Sequence, residues 1–149
     1  MRYGFGVLVA VAALAIAVAA AADDAGRVKV LKGAVTIERA GQSLPATVGM
    51  RLQEGDVIKT GRDGSAGVTF NDDSLLSIGP DSALAIDRFA FDSTTHAGRF
   101  DASLRQGTLS AVSGKIAKQS PEAMKVRTPS TILGVRGTEF VVRAAPVAP

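Results

Sequence analysis

The sequence contains no cysteine, no tryptophan, one histidine and one tyrosine. Without cysteine there is no disulfide framework, and a single histidine is too few for a zinc site of the cysteine and histidine type. A Ser-His-Asp triad would depend on His96, which lies in a polar loop, and no serine occupies a Gly-x-Ser-x-Gly elbow. Beyond Tyr3 only phenylalanine remains to stack on a sugar. We therefore expect no enzyme activity, no catalytic residue, no cofactor and no metal.

Neither sign of charge dominates the chain, which has 17 Lys and Arg residues against 14 Asp and Glu residues. No two basic residues are adjacent in the sequence. Proteins that bind nucleic acid carry a basic stripe, and those that bind single strands add stacking aromatic residues. The sequence therefore predicts no nucleic-acid partner.

Long hydrophobic runs are absent except at the N-terminus. Arg2 precedes an uncharged segment, residues 5–22, which is rich in Ala, Val and Leu and ends in four alanines before two aspartates. This pattern predicts a secretory signal peptide over residues 1–22 and an exported mature chain. The alternative is an uncleaved anchor, because about 18 apolar residues can just span a bilayer. A membrane would then be reached only through this segment, and a lipid anchor is excluded because no cysteine follows it.

After the signal, short runs alternate apolar and polar residues, and turns rich in Gly, Asn and Asp separate them. The runs are Val35–Arg39, 68–70, 76–78, 84–87, 100–104 and Met124–Arg127. This period of two predicts an all-β single domain of about ten to twelve short, bent strands, arranged as a sandwich or as a solenoid-like stack. Only residues 113–123 suit a short helix. Asp63-Gly64 predicts a hairpin between the strand at 57–58 and the strand at 68–70.

The order of these elements resembles the FecR-type domain, the exported domain of regulators of the ferric-citrate type. The segment 49–61, which reads GMRLQEGDVIKTG, is similar to the family pattern G-x-x-L-x-x-G-D-x-I-x-T-G. The segments 33–37, 66–74, 80–86 and 104–109 continue the resemblance, although Asp73 stands where the family usually has glycine. VRTP at 126–129 and GVRGTEF at 134–140 resemble its closing signature. We therefore expect a lead-in strand at 23–32, the domain at 33–143 and a flexible Ala/Pro tail at 144–149.

The resemblance implies an all-β fold and a role in cell-surface signalling in the periplasm or at the surface of a Gram-negative bacterium. In full-length members, the exported part contacts a TonB-dependent outer-membrane receptor, and a cytoplasmic part controls a sigma factor. No such cytoplasmic segment precedes the signal in this sequence, so the anti-sigma role is not expected here. The expected function is a sensory or protein-interaction module that binds an envelope protein, in iron-responsive or other surface signalling. A structural envelope or matrix module without a signalling role is the alternative.

The residues of the family motifs are the candidates for a structural or partner-contact site. They are Gly55, Asp56, Thr60, Arg127, Thr128, Pro129, Gly134, Arg136, Gly137, Thr138 and Phe140. The guanidinium group of Arg136 can donate to backbone carbonyls or to a carboxylate of Glu139 or the Gly55-Asp56 turn, which ties two turns together, or it can bind an acidic group of a partner. A calcium site at 71–73 with Asp63 or Asp81 would supply oxygen ligands. The spacing fits no calcium loop, and turns between strands account for these residues without a metal.

Overall fold

The computed structural model describes residues 24–134 and 139–145, and these residues contain twelve strands and two short helical segments. The strands are β1 (Asp24–Lys32), β2 (Val35–Arg39), β3 (Gln42–Pro45), β4 (Arg51–Gln53), β5 (Val57–Thr60), β6 (Ser65–Phe70), β7 (Leu75–Ile78), β8 (Ala83–Phe91), β9 (Gly98–Val112), β10 (Met124–Arg127), β11 (Ile132–Gly134) and β12 (Glu139–Ala144). The all-β class and the number of strands are confirmed. The predicted signal peptide and residues 146–149 of the predicted tail lie outside the described residues. Ala144, assigned to that tail, is instead the buried last residue of β12.

The strands form one continuous sheet that curls on itself and packs as two layers. The first layer contains, in spatial order, β4, β1, β6, β7, the second half of β9, and β12. The second layer contains β3, β2, β5, β8, the first half of β9, β10 and β11. Neighbouring strands are antiparallel except for β9 and β10. The two layers, joined through β9, form a sandwich made from a single curled sheet.

The core lies between the two layers and draws side chains from nearly every strand. β2 and β10 span the residues that the alternation predicts, and in each the first and third side chains are buried. Phe70, Phe89 and Phe100 form an aromatic cluster with ring centroids 4.5 to 5.6 Å apart. Each fully buried large apolar side chain stabilises the fold by roughly 1.5–3 kcal/mol. Such a core makes the fold independent of disulfides.

The chain passes between the layers at turns that lie side by side at one end of the sandwich. We call this set the corner row: residues 33–34, 60–64, 79–82 and 106–108. The backbone N–H of Gly61 donates to the carbonyl of Ala34 at 2.9 Å, and the N–H of Asp81 donates to the carbonyl of Gly61 at 3.0 Å. These bonds connect successive corners, so the corner row joins the two layers along their width.

The hairpin predicted at Asp63-Gly64 is wrong. β5 pairs with β2 and β8, whereas β6 pairs with β1 and β7, so the turn carries the chain from one layer to the other. The reason is a close approach between two corners. A Cβ on Gly64 would overlap the carbonyl oxygen of Ala34, and a Cβ on Gly33 would overlap the carbonyl oxygen of Asp63.

The helix predicted within residues 113–123 is confirmed as α1 (Lys115–Gln119), followed by a single 3-10 turn (Pro121–Ala123). Ile116 and Ala117 bury the inner side of α1 in the core. The start of α1 is bonded to the turn between β6 and β7: the N–H of Gly114 donates to Ser74 Oγ, and the N–H of Lys115 donates to the carbonyl of Asp72. Within the described residues, α1 and the 3-10 turn are both too short to cross a membrane.

Candidate functional site

Asp56, at the turn between β4 and β5, is a buried structural carboxylate. Its side chain is 1% exposed and accepts two hydrogen bonds from Arg39, one from Nε at 2.9 Å and one from Nη2 at 2.8 Å. The backbone N–H of Gln53 donates to the same carboxylate at 2.9 Å. The bidentate bond to Asp56 raises the pKa of Arg39 above its usual value. Gly55 precedes the aspartate with φ of 92°, a conformation that favours glycine.

Arg39 was not among the residues singled out from the sequence, although it is the partner of Asp56. It ends β2, 17 positions before the aspartate. The sequence instead offered the Gly55-Asp56 turn as a partner for Arg136. Arg136, Gly137 and Thr138 lie outside the described residues, so that contact stays a prediction. Because the carboxylate of Asp56 is already bonded to Arg39, the Gly55-Asp56 turn has a structural role in the domain.

Thr60, at the end of β5, is buried in the corner row. Its hydroxyl donates to the carbonyl of Gly79 at 2.6 Å and accepts the backbone N–H of Ser82 at 2.9 Å. The backbone N–H of Thr60 also donates to the carbonyl of Ser82 at 2.9 Å. Thr60 therefore bonds the β5 corner to the β7–β8 corner.

Ser82 continues this network to the corner inside β9. Its hydroxyl donates to the carbonyl of Pro80 at 3.0 Å and accepts the backbone N–H of Thr108 at 3.0 Å. Gly107, with φ of 94°, lies so close to Ser82 that a side chain at 107 would overlap the serine. Ser82 and Gly107 belong to segments that resemble the family, but the local sequence gave no sign that they meet.

Arg127, Thr128, Pro129 and Gly134 belong to the hairpin formed by β10 and β11, which we call the closing hairpin (124–134). The backbone N–H of Thr128 donates to the carbonyl of Thr131 at 2.8 Å, and the hydroxyl of Thr128 accepts the N–H of Thr131 at 3.2 Å. Thr128 therefore shapes the turn. Arg127, Pro129 and Gly134 are exposed, and a Cβ on Gly134 would meet no atom within 4 Å among those described.

The closing hairpin carries an apolar strand to the edge of the second layer. β11 pairs with β10 on one side, and within the described residues its other side has no strand partner. Ile132 is 61% exposed and Leu133 is 38% exposed. An edge strand presents unpaired backbone N–H and C=O groups to solvent, and natural sheets usually protect such edges with charge or proline. An apolar edge strand is therefore an unusual feature that favours a binding role.

A basic surface adjoins this edge on the outer side of the second layer. Its basic residues are Arg88 in β8, Arg99 and Arg105 in β9, and Lys125 and Arg127 in β10; we call it the basic face. The register of β8, β9 and β10 places these side chains away from the core, because the alternate positions are buried. The acidic residues on the outer side of β8, β9 and β10 are Asp87 and Asp101. The basic face therefore carries an excess of positive charge.

Asp101 lies inside the basic face with little exposure to solvent. Its Oδ2 accepts Arg99 Nε at 2.9 Å, whereas its buried Oδ1 has no hydrogen-bond partner among the described residues. Arg88 of β8 and Lys125 of β10 are its register neighbours. These cations surround the carboxylate, so Asp101 offsets only part of their charge.

Phe140, the last predicted site residue, lies in β12 opposite Ala111 and is half-buried against the core. The described site residues therefore fall into separate places: the buried turn of Asp56, the corner row of Thr60, the closing hairpin and β12. Asp56, Thr60 and Phe140 stabilise the domain. Arg127 and Pro129 are exposed in the closing hairpin.

In the acidic turn between β6 and β7, the carboxylates of Asp72 and Asp73 interact with other groups of the protein. The buried carboxylate of Asp72 accepts the backbone N–H of Ser74 at 3.1 Å and its hydroxyl at 2.8 Å. Asp73 forms an exposed ion pair with Lys115 at 3.1 Å, and its φ of 68° is the conformation for which the family uses glycine. The described residues contain no group of three or more His, Cys, Asp and Glu side chains that could hold a metal ion.

One comparison with known proteins identifies a family. A family model described as FecR protein matches residues 56–147, which is more than half of the chain. No curated protein matches the chain, and no solved structure matches it. The matched region begins at Asp56 and includes the corner row from Thr60 onward as well as the closing hairpin.

Proposed function

Because the chain belongs to the FecR protein family, we propose that it is an exported, non-enzymatic module of the cell envelope that binds another protein. The observation that carries this proposal is the apolar edge strand β11 beside the basic face. The predicted signal peptide supports export, and the family resemblance supports the periplasm or surface of a Gram-negative bacterium.

The partner surface follows from the exposed chemistry of the closing hairpin. A partner strand adding to β11 would satisfy the backbone groups of the edge and cover Ile132. Arg127, in the neighbouring strand, would pair with a carboxylate of the partner. The expected partner is therefore an extended segment that carries both apolar and acidic side chains. The resemblance favours an envelope signalling protein such as a TonB-dependent receptor, in iron-responsive or other surface signalling.

We assign no catalytic role because two polar motif side chains are buried and hydrogen-bonded within the protein. Asp56 and Thr60 are buried, and their side chains bond to Arg39, Gln53, Gly79 and Ser82. A catalytic group must contact the reacting atoms of a substrate. Arg127 and Pro129 are described motif residues whose side chains are exposed, and they suit contact with a protein surface.

Site-specific photo-cross-linking in living cells tests the proposal. A photoreactive amino acid replaces Ile132 in one variant and Val48, a 67% exposed loop residue, in the control. We expect the variant at 132 to form an adduct with one defined envelope protein and the control to form none. Adducts with the same abundant porins at both positions would overturn the proposal.

A structural envelope module is the second candidate. It is favoured by the hydrogen bonds of Thr60 and Ser82, which join the two layers at the corner row. It predicts a deletion strain with a fragile envelope and normal metal-responsive transcription. The signalling proposal predicts the reverse: altered transcription with a normal envelope. Measuring both properties in one deletion strain distinguishes the two candidates.

A further inference from the structure

An open cleft lies at the end of the sandwich opposite the corner row. It has a volume of about 910 Å³. We call it the aromatic cleft, and its side chains that matter here are Phe89, Phe91, Asp24, Glu54, Asn71 and Asp92. They come from the start of β1, the turns after β4 and β6, and the end of β8. The cleft therefore lies where both layers end. Its volume is within the range of pockets that bind small molecules, roughly 300–1,000 Å³.

Two half-buried phenylalanines give the aromatic cleft its apolar surface. The ring of Phe89 packs on Phe70 and, edge to face, on Phe100, with centroids 5.6 and 5.1 Å apart. The ring of Phe91 stacks on His96 at 6.1 Å. Both rings are therefore held in place by neighbours while part of each remains accessible. Apolar surface left accessible in a concave place commonly marks a ligand site.

The charged side chains that line the aromatic cleft all carry the same sign. They are the carboxylates of Asp24, Glu54 and Asp92, and the described lining residues include no Lys or Arg. Asp24 is partly neutralised by an exposed ion pair with Arg51 at 3.1 Å. Glu54 forms no ion pair with any described residue. The carboxylate of Asp92 accepts the backbone N–H groups of Thr94 and Thr95, which lower its pKa and keep it ionised.

The accessible phenylalanine rings and the carboxylates of the cleft together favour one class of ligand. The face of an aromatic ring is negative and attracts a cation, most strongly where water is partly excluded. Carboxylates around such rings add to this attraction and repel anions. We propose that the aromatic cleft binds a small organic ammonium ion that carries an apolar body. The site uses no residue of β11, so it does not depend on the proposed partner surface.

Titration of the purified exported protein with benzyltrimethylammonium, followed by amide chemical shifts, tests this site. We expect saturable shifts at Phe91 and Gly98, which line the cleft, and none in the closing hairpin. Benzyl alcohol and phenylacetate have the same ring without the positive charge, and we expect each to bind at least about tenfold more weakly. Equal binding of either compound, or no saturable binding of the cation, would overturn the proposal.

Variants separate the site from non-specific attraction. Glu54→Gln removes an exposed charge from the cleft and should weaken binding about threefold or more, and Phe91→Ala should weaken it further. Glu38→Gln is the matched control, because Glu38 lies outside the cleft in β2, and it should leave binding unchanged. Equal weakening by Glu54→Gln and Glu38→Gln would show a general charge effect and contradict the proposal. Because Glu54 is exposed, its variant tests the site even if Phe91→Ala fails to fold.

The source of the ammonium group is tested by competition. A lysine-containing tripeptide that displaced the probe at lower concentration than free alkylammonium ions would identify a polypeptide as the occupant and overturn the small-molecule assignment. Displacement by free alkylammonium ions, with affinity increasing with the length of the alkyl chain, would support it. Loss of the cross-link at position 132 leaves this result unaffected, so failures of the two proposals are distinguishable.

Discussion

Ser82 occupies with its side chain the space that a Cβ at Gly107 would need. Gly107 also has φ of 94°, so Gly107→Ala combines an unfavourable backbone conformation with an overlap. We expect a loss of about 3 kcal/mol in the free energy of unfolding, measured with urea. The reason is that Ser82 is itself held by Pro80 and Thr108 and has little room to move.

Gly49→Ala is the matched control for this prediction. Gly49 has φ of 86°, but a Cβ there would meet no atom within 4 Å in the part of the chain that the structure describes. It should lose only the backbone contribution, about 1 kcal/mol. Equal losses in the two variants would show that Ser82 moves aside and that the close approach does not constrain the corner row.

Thr60→Val should destabilise the protein by about 2 kcal/mol in urea unfolding. Valine has nearly the same shape as threonine, but it leaves the N–H of Ser82 and the carbonyl of Gly79 without the hydroxyl that satisfies them. Thr60→Ser keeps the hydroxyl and should lose less than about 1 kcal/mol. If serine destabilised the protein as much as valine, packing of the methyl group would be the main contribution of Thr60.

The fold class could be predicted because it depends on local periodicity. The alternation at Val35–Arg39 and at Met124–Arg127 places one side chain in two against a core whichever strands flank it. The hairpin at Asp63-Gly64 could not be predicted correctly. Whether a turn joins paired strands or changes layers depends on what packs against it, and the carbonyl of Ala34 lies 30 positions before Gly64.

The sequence indicated which residues belong to the candidate site, but it did not indicate which residues they contact. The motifs marked Asp56 and Thr60, but their partners Arg39 and Ser82 are 17 and 22 positions away. Exposure at Ile132 and the aromatic cleft were not anticipated for the same reason. The exposure of an apolar residue becomes evident only when the strand order shows that its strand lies at an edge.

The loop after β8 should show a carboxylate that titrates at low pH. The pKa of Asp92 is lowered from 3.8 chiefly because its carboxylate accepts the N–H groups of Thr94 and then Thr95. A lowered folded-state pKa means that the contribution to stability is present above the unfolded-state pKa and is lost as the pH falls through the folded-state pKa. An NMR titration of the Asp92 side chain should therefore give a midpoint below 3.8, and Thr94 should shift in parallel. A midpoint at or above 3.8 would contradict these hydrogen bonds.

The Arg39–Asp56 pair should contribute more to stability than the more exposed pair Arg51–Asp24. Arg39→Met leaves the carboxylate of Asp56 buried with only the N–H of Gln53 as a donor. We expect a loss of about 2 kcal/mol at pH 7 in urea unfolding, because Arg39 is 29% exposed and water replaces part of the lost bonding. Arg51→Met, which breaks a pair 64% and 31% exposed, should lose less than about 0.5 kcal/mol.

The pH dependence gives this last prediction a second measurement. The raised pKa of Arg39 keeps its contribution fully present below the pKa that arginine has in the unfolded state, so the wild-type pair should not weaken between pH 6 and 10. Asp56→Asn in the Arg39→Met background should recover part of the loss at pH 7, since the buried charge is then gone. If the double variant were as unstable as the sum of the two single variants, the two side chains would not be coupled.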